Sequence, residues 1–407
     1  MTNEARVKPQ LRFEEFEDSW SKLNLNEVSE RVKRKNENLE SLMALTISGQ
    51  YGLVDQITYF SKSVSAKNLK NYTLIKNGEF AYNKSYSNGY PLGAIKRLDK
   101  YEKGVLSTLY ICFKVNGNNN SNFIKYFFET TKWHKEVGSI AVEGARNHGL
   151  LNISVNDFFN IMINLPSFEE QQKIGDFFSK LDQQIELEEQ KLAKLEEQKK
   201  GYMQQIFSQE LHFKDENGND YPEWEDKLIS DIGKVVTGNT PSKKENDYWN
   251  SNQYIWVTPT DISNKKNIYT SGYQLSQKGF SKARQLPKNT LLITCIASIG
   301  KNAILRIEGS CNQQINAVIP NDNYDVDYLY YAFEDVSKLM KSIAGKTATQ
   351  IVNKAVFEKL LVNVPIYEEQ QKISGFLNKV DILIDKQAQK IDELKLRKQG
   401  FLQKMFI

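Results

Sequence analysis

The chain has few of the residues from which metal and redox centres are built. Three cysteines occur in 407 residues, Cys112, Cys295 and Cys311, with no CxxC spacing and no histidine at ligand spacing from any of them. The three histidines, His134, His148 and His212, are equally isolated. A metal site and a disulfide scaffold are therefore not expected, and the cysteines read as reduced core thiols of a cytoplasmic protein. Hydrophobic residues make up 40% of the chain and the mean hydropathy is −0.55. No apolar run approaches the roughly 20 residues of a membrane span. The start, Met1-Thr2-Asn3-Glu4, lacks signal-peptide character. No glycine-rich loop ends in Lys-Ser or Lys-Thr, which argues against nucleotide hydrolysis. Carboxylates are too dispersed to single out an acid/base pair, so the chain is not expected to be an enzyme on its own.

What the chain does contain is a long internal repeat. Pro166 to Phe207 is written again, without a gap, at Pro365 to Phe406. The identities include Glu169-Glu170-Gln171-Gln172-Lys173-Ile174, Phe177, Lys180, Asp182, Lys199, Gly201 and Gln204, echoed by Glu368-Glu369-Gln370-Gln371-Lys372-Ile373, Phe376, Lys379, Asp381, Lys398, Gly400 and Gln403. A repeat of this length sets the architecture before any local reading. Within it, Leu181, Ile185, Leu192, Leu195, Tyr202 and Ile206 recur at steps of three and four, as do Val380, Ile384, Ile391, Leu394, Phe401 and Met405. That is a coiled-coil seam, interrupted by Glu188 and Lys199 in one copy and by Gln387 and Lys398 in the other. Antiparallel pairing with Leu192 on Leu394 puts Leu195 on Ile391, Ile185 on Phe401, Tyr202 on Ile384, Glu188 on Lys398 and Lys199 on Gln387. Parallel pairing would oppose Lys199 and Lys398 inside the seam, costing desolvation and repulsion together. A dimerisation zipper between two copies is the competing reading. Two matched segments in one chain favour the intramolecular pair, through their high effective concentration.

The segments between the helices repeat as well. Residues 1–165 and 211–364 each begin near a tryptophan, Trp20 or Trp224, and carry short strand-like runs such as Tyr72–Ile75, Val105–Phe113, Gln253–Val257 and Thr290–Ile296. Helical spacing follows at Ser121–Val137 and Asp327–Ile343, and Asp215–Asp220 reads as a polar hinge. The expected fold is α+β, with two α/β domains in pseudo-twofold arrangement separated by a long antiparallel two-helix coiled coil. The expected boundaries are 1–165, 166–210, 211–364 and 365–407. Ser167 and Glu170 suggest a capping box at the first helix start. Asn164-Leu165-Pro166-Ser167-Phe168 and Asn363-Val364-Pro365-Ile366-Tyr367 faintly resemble the Asn-Pro-Pro-aromatic motif of amino-methyltransferases. No glycine-rich cofactor loop accompanies either, which leaves a helix start as the plainer explanation.

Charge is segregated rather than extreme. The net is +4, but Lys62–Lys103 holds nine basic side chains against three acids, and Lys243–Arg306 holds ten against three. Clustering of that kind gives each half one basic face, as a polyanion partner needs. Aromatic and amide residues lie among the cations, and amides can read base edges while cations hold phosphates. The candidates for nucleic-acid contact are Lys84, Tyr86, Lys96, Arg97, Lys243, Lys244, Lys301, Asn312 and Gln313. Two polar loops before the repeats add Arg146, Asn147 and His148, and Lys346, Thr347 and Gln350. A solvated lysine-rich face and simple connecting turns are the competing explanations.

With the duplicated Glu-Glu-Gln-Gln-Lys-Ile helix and the two tryptophan-led domains in place, the whole chain resembles the specificity subunit of a type I restriction–modification system. The resemblance implies two target-recognition domains, each reading one half of a bipartite site in double-stranded DNA. It also implies paired helices that set the spacer and dock two methyltransferase subunits, with restriction/translocase subunits joining the assembly. S-adenosylmethionine, ATP and Mg would then belong to the partners, with no cofactor in this chain. Leu181 to Ile206 as helix spans about 38 Å, close to the roughly 34–36 Å of one duplex turn. A duplicated coiled-coil scaffold that binds no DNA is the alternative.

Overall fold

The computed structural model describes residues 8–61, 68–86, 89–141, 151–249, 251–262, 265–345 and 351–407. Two compact units emerge, Met1–Gln190 with Ala388–Ile407, and Lys191–Gln387. The repeats form two helices of 40 and 39 residues, Phe168–Phe207 and Tyr367–Met405. Each long helix gives one part of its length to each unit.

The first unit is built on a four-stranded antiparallel sheet, in the order Ser29–Arg31, Ile111–Val115, Phe80–Asn83, Ala94–Arg97. Ser21–Asn24 pairs with Met162–Leu165 and so ties the start of the unit to the strand that leads into the first long helix. The apolar stretch Val105–Phe113 is divided between two strands, Lys103–Leu106 and Ile111–Val115. The expected helix over Ser121–Val137 is also divided, into Ser121–Phe127 and His134–Ile140. Thr130 explains the break. Its hydroxyl donates to the Phe127 carbonyl and accepts from the Lys132 amide, which replaces the helical pattern with a local turn. The core is aromatic, with Phe80 stacked on Phe113 and Tyr82 on Phe158. Ile174, Phe178, Leu402, Met405 and Phe406 of the long helices complete it.

In the second unit a five-stranded sheet runs Gly233–Thr237, Ile315–Pro320, Thr290–Thr294, Asn302–Leu305, Asn267–Ile268, with its last pair parallel. Thr290–Thr294 is buried at all five positions, as suits a central strand with a continuous Thr-Leu-Leu-Ile-Thr run. Tyr254–Val257 lies between Tyr273–Leu275 and Gly309–Cys311 in a second, mixed sheet. The helix expected from Asp327 runs unbroken over Val326–Ala344, capped by the Asp325 carboxylate on the Tyr328 amide. The polar stretch at 215–220 is a closed turn rather than a hinge. Asp215 Oδ1 accepts from the amides of Asn217 and Asn219, and Gly218 takes φ +84°.

Both helix starts dock by the same device, which accounts for much of the repeated motif. In the first unit the Gln171 side chain accepts from the Asn120 amide and donates to the Pro166 carbonyl. In the second, Gln370 accepts from the Asp325 amide and donates to the Pro365 carbonyl. The glutamate before each glutamine is buried but differently satisfied. Glu170 receives a two-pronged contact from Arg12, at 2.8 and 2.7 Å, while Glu369 accepts from Trp224 Nε1 at 3.1 Å. Burial pushes the Glu369 carboxyl above its usual range, against the Trp224 hydrogen bond and nearby His212. The expected capping box at Ser167 is half formed. Ser167 Oγ accepts from the Glu170 amide, but the Glu170 carboxylate is committed to Arg12. The strand–Pro–helix junctions carry structural duties too. Asn164 pairs with Lys22, and Asn363 is held by Asp226 and Tyr328.

Within each unit the two helix portions run antiparallel, but not in the expected register. Phe401 packs on Phe177 at 5.1 Å rather than on Ile185, and Tyr202 on Phe376 at 5.0 Å rather than on Ile384. Lys398 bonds Asp182 at 2.8 Å instead of Glu188, which takes Lys390 at 2.7 Å. Lys199 bonds Asp381 at 2.8 Å instead of Gln387. The shift from Gln387 to Asp381 is six residues, about 9 Å along the helix. Charge sets it: the repeat's own Asp and Lys pair reciprocally, and in each unit a tyrosine completes the lock. Tyr126 donates to Asp182 at 2.8 Å with Lys398 over its ring at 5.2 Å. Tyr331 donates to Asp381 at 2.5 Å with Lys199 over its ring at 5.6 Å. The seam face itself follows the heptad pattern. Ile185, Glu188, Ile206, Val380, Ile391, Leu394 and Met405 are buried, and Leu181, Leu192, Leu195, Lys199, Ile384, Gln387, Lys398 and Phe401 half-buried. Tyr202 is the exception, 36% exposed at the rim.

Candidate nucleic-acid interface

In the second unit the candidate surface is assembled from four segments that are far apart in sequence. Gly238 lies so close to the Cys311 and Asn312 carbonyls that a Cβ would stand 2.3 Å from each, which seats the loop after Gly233–Thr237 directly on the turn at 312–314. From there Asn239 donates to the Lys282 carbonyl and accepts from the Arg284 amide, joining the loop to the end of helix Gln277–Lys282. Thr240 Oγ1 donates to Gln313 Oε1 at 2.6 Å. The Gln314 carbonyl accepts from Cys295, whose own carbonyl accepts from Val352. Trp249, Trp256 and Tyr273 support the loop from beneath, and Trp249 Nε1 donates to the Ser242 carbonyl.

Exposed on this scaffold are Lys243, Lys244, Lys282, Arg284 and Gln313. Lys243 lies over the half-exposed Tyr273 ring at 5.8 Å. Lys301 is exposed at the rim of a cavity of about 400 Å³, with Lys341 and Gly345 on its wall. Ala297 in the same wall has φ +62°, an uncommon conformation for a residue with a Cβ. Asn312, in contrast, is 7% exposed and spends its amide on Gln314, so it shapes the turn rather than facing solvent. Lys346, Thr347 and Gln350 lie outside the described residues.

The first unit repeats the arrangement in part. The Lys84 carbonyl accepts from Leu151, as the Cys295 carbonyl does from Val352. Lys84 Nζ donates to the Ile153 carbonyl, and burial lowers its pKa. It therefore holds the chain that returns at 151 rather than offering its charge. Tyr86 is 60% exposed. Arg146, Asn147 and His148 lie outside the described residues.

Two further candidates, Lys96 and Arg97, are structural. Arg97 pairs with Asp99 at 2.6 Å and donates to Ser121. Burial lowers the Lys96 pKa, and Glu129 faces it with Lys398, Lys125 and Asp182 nearby. Lys398 is held charged against burial by Glu129 and Asp182. Similarly in the second unit, Lys266 and Arg306 converge on Asp327 at 2.7 and 2.5 Å. A run of basic letters does not show which cations are spent on acidic partners in the fold, as Arg97, Lys266 and Arg306 are.

Burial pushes the Asp327 carboxyl up, but Lys266 and Arg306 outweigh it and hold the group below its usual value. Lys266 itself is lowered by burial, against Asp327 and Asp381. A depressed carboxylate contributes stability above its unfolded pKa and loses it as pH falls through the folded value. Asp327→Asn should therefore flatten the second unit's stability loss below about pH 4, measured by urea midpoints across an acid series. An unchanged acid profile would count against the pairing.

The residues missed by sequence reasoning are Asn239, Thr240 and Tyr273, while Arg284 is counted in the basic cluster but not singled out as a candidate. A signal was present in Gly238-Asn239-Thr240-Pro241, a turn sequence placed directly before Ser242-Lys243-Lys244. Among the described residues no group of three or more His, Cys, Asp or Glu is placed to hold a metal ion, and no helix is long and apolar enough to cross a membrane.

Comparison with known proteins agrees with this duplication. The chain is 34% identical over 186 residues to the specificity subunit of the type I restriction enzyme MjaIX of Methanocaldococcus jannaschii, covering 44% of this chain and 43% of that protein. It is 28% identical over 189 residues to the EcoR124I/EcoR124II specificity subunit of Escherichia coli, covering 44% and 46%. The matched stretch thus spans less than half the length of either relative. Among solved structures, the type I restriction-modification S subunit of M. genitalium aligns over 98% of this chain and 99% of its own, with TM-score 0.58 and 14% identity. A chain from a study of type I system assembly and conformational transition aligns over 95% and 97%, with TM-score 0.58 and 17% identity. At such identities the likeness establishes the fold. The family described as the type I restriction modification DNA specificity domain matches twice, over residues 17–197 and 221–396. With one such match in each half, the chain belongs to the type I restriction modification DNA specificity domain family.

Proposed function

We propose that this chain is the DNA-specificity subunit of a type I restriction–modification complex, with each unit reading one half of a split site in double-stranded DNA. The observation that carries the reading is duplication of the mounting. Each unit is fixed to the paired helices by the same glutamine anchor and the same Tyr–Asp–Lys lock. In each, a carbonyl just past a strand end also accepts from a later backbone amide, Lys84 from Leu151 and Cys295 from Val352. A protein that reads two half-sites needs two such mounted surfaces, whereas a scaffold without DNA has no use for exposed cations around an oriented amide. The paired helices would dock two methyltransferase subunits, and restriction/translocase subunits would complete the assembly in the cytoplasm. Adenine methylation with S-adenosylmethionine, and ATP- and Mg-dependent translocation and cleavage, would be the partners' chemistry. This chain's part would be to bind and position the duplex.

The test is selection from a random duplex library by the chain together with its methyltransferase. Enrichment of two short defined blocks separated by an undefined spacer is expected. No enrichment by the intact complex would contradict the proposal and favour the scaffold.

A further inference from the structure

We infer that Thr240 fixes the amide of Gln313 so that it presents hydrogen-bond donors, and that this pair selects a hydrogen-bond-accepting base edge in the half-site read by the second unit. The inference rests on the DNA-specificity reading above and concerns how one position is read. Gln313 is exposed at the tip of a turn that cannot easily move. Asn312 donates to Gln314 and accepts from its amide, and the Asn312 amide donates to the Val257 carbonyl. Thr240 is held as firmly, between the close approach of Gly238 and the two backbone contacts of Asn239. With Thr240 Oγ1 donating to Gln313 Oε1 at 2.6 Å, the carbonyl end of the amide is turned inward. The NH₂ end is left for a partner, and it carries two donors.

A free glutamine reads adenine by donating to N7 while accepting from N6. The Thr240 contact opposes that two-sided use. The donors that remain suit N7 and O6 of guanine, N7 of adenine or O4 of thymine, and reject the donor edge of cytosine. Lys243, Lys244 and Arg284, exposed around the pair, are placed for phosphates.

The experiment is single-molecule mapping of methylated sites in cells carrying the full chain with its methyltransferase, wild type against Thr240→Val, Gln313→Ala and Gln313→Glu. The wild type is expected to exclude cytosine at one position of the second half-site. Gln313→Glu exposes an acceptor in place of the donors, and should shift that position toward cytosine by about tenfold. Gln313→Ala should relax the position, and Thr240→Val should admit adenine more readily. The first half-site should be unchanged in all three, which also reports that the variants fold and assemble. A defined split site whose second half is the same in Thr240→Val and Gln313→Ala as in the wild type overturns the inference alone. Absence of any split site with the wild type overturns both this inference and the reading beneath it.

Discussion

Replacing Arg12 with methionine should cost the first unit about 3–5 kcal/mol, the range for removing one partner of a buried ion pair. Glu170 is 1% exposed and receives both its charged contacts from Arg12. Loss of the guanidinium leaves a carboxylate in the junction between the first long helix and the sheet, with desolvation that nothing repays. The helix start then has to shift, or the carboxyl has to take up a proton. Adding Glu170→Gln to Arg12→Met should recover most of the loss, because the charge goes with its partner. Urea midpoints at constant slope measure both variants. If the double variant is no more stable than the single one, the cost lies in lost packing rather than in the stranded charge.

The lysine lock gives the second large effect. Lys398 bonds Glu129 and Asp182 at 2.7 and 2.8 Å and is 16% exposed. Lys398→Met should destabilise the first unit by about 2–3 kcal/mol, somewhat less than Arg12→Met because both carboxylates retain some contact with water. The equivalent Lys199 is 24% exposed, and among its described contacts only Asp381 is a carboxylate. Lys199→Met should therefore cost the second unit less. Combining Lys398→Met with Glu129→Gln and Asp182→Asn should return stability toward the wild type. Equal losses from Lys398→Met and Lys199→Met would show that the count of carboxylates does not set the cost.

These two sites mark what could be read in advance and what could not. The repeat, the long helices and their apolar face are all visible in the spacing of Leu181, Ile185, Ile391 and Leu394, because helical periodicity is a local property. Antiparallel direction followed from the placing of Lys199 and Lys398. Their partners did not, because a heptad pattern fixes a face and leaves axial offset free. Asp182 and Asp381 fix that offset from positions beside the seam. Gln171 and Gln370 stand among the charged letters of the repeat, yet they are buried anchors, bonded both to the nearby Pro166 and Pro365 carbonyls and to backbone amides more than 40 residues away. Candidate site residues divided on the same principle. Lys243, Lys244 and Gln313 are left exposed on turns that the fold pins through distant contacts, Gly238 on Asn312 and Asn239 on Lys282. Arg97 is taken up by Asp99 and Lys96 is half-buried, and only the folded chain shows which cations are left over.

The central claim is that one chain carries two separately mounted readers. The most direct measurement exchanges residues 1–165 for those of another family member and maps methylated adenines in cells that also carry the methyltransferase. One half of the split site should change while the other half stays the same. A target altered in both halves, or a target with no split at all, would contradict the account.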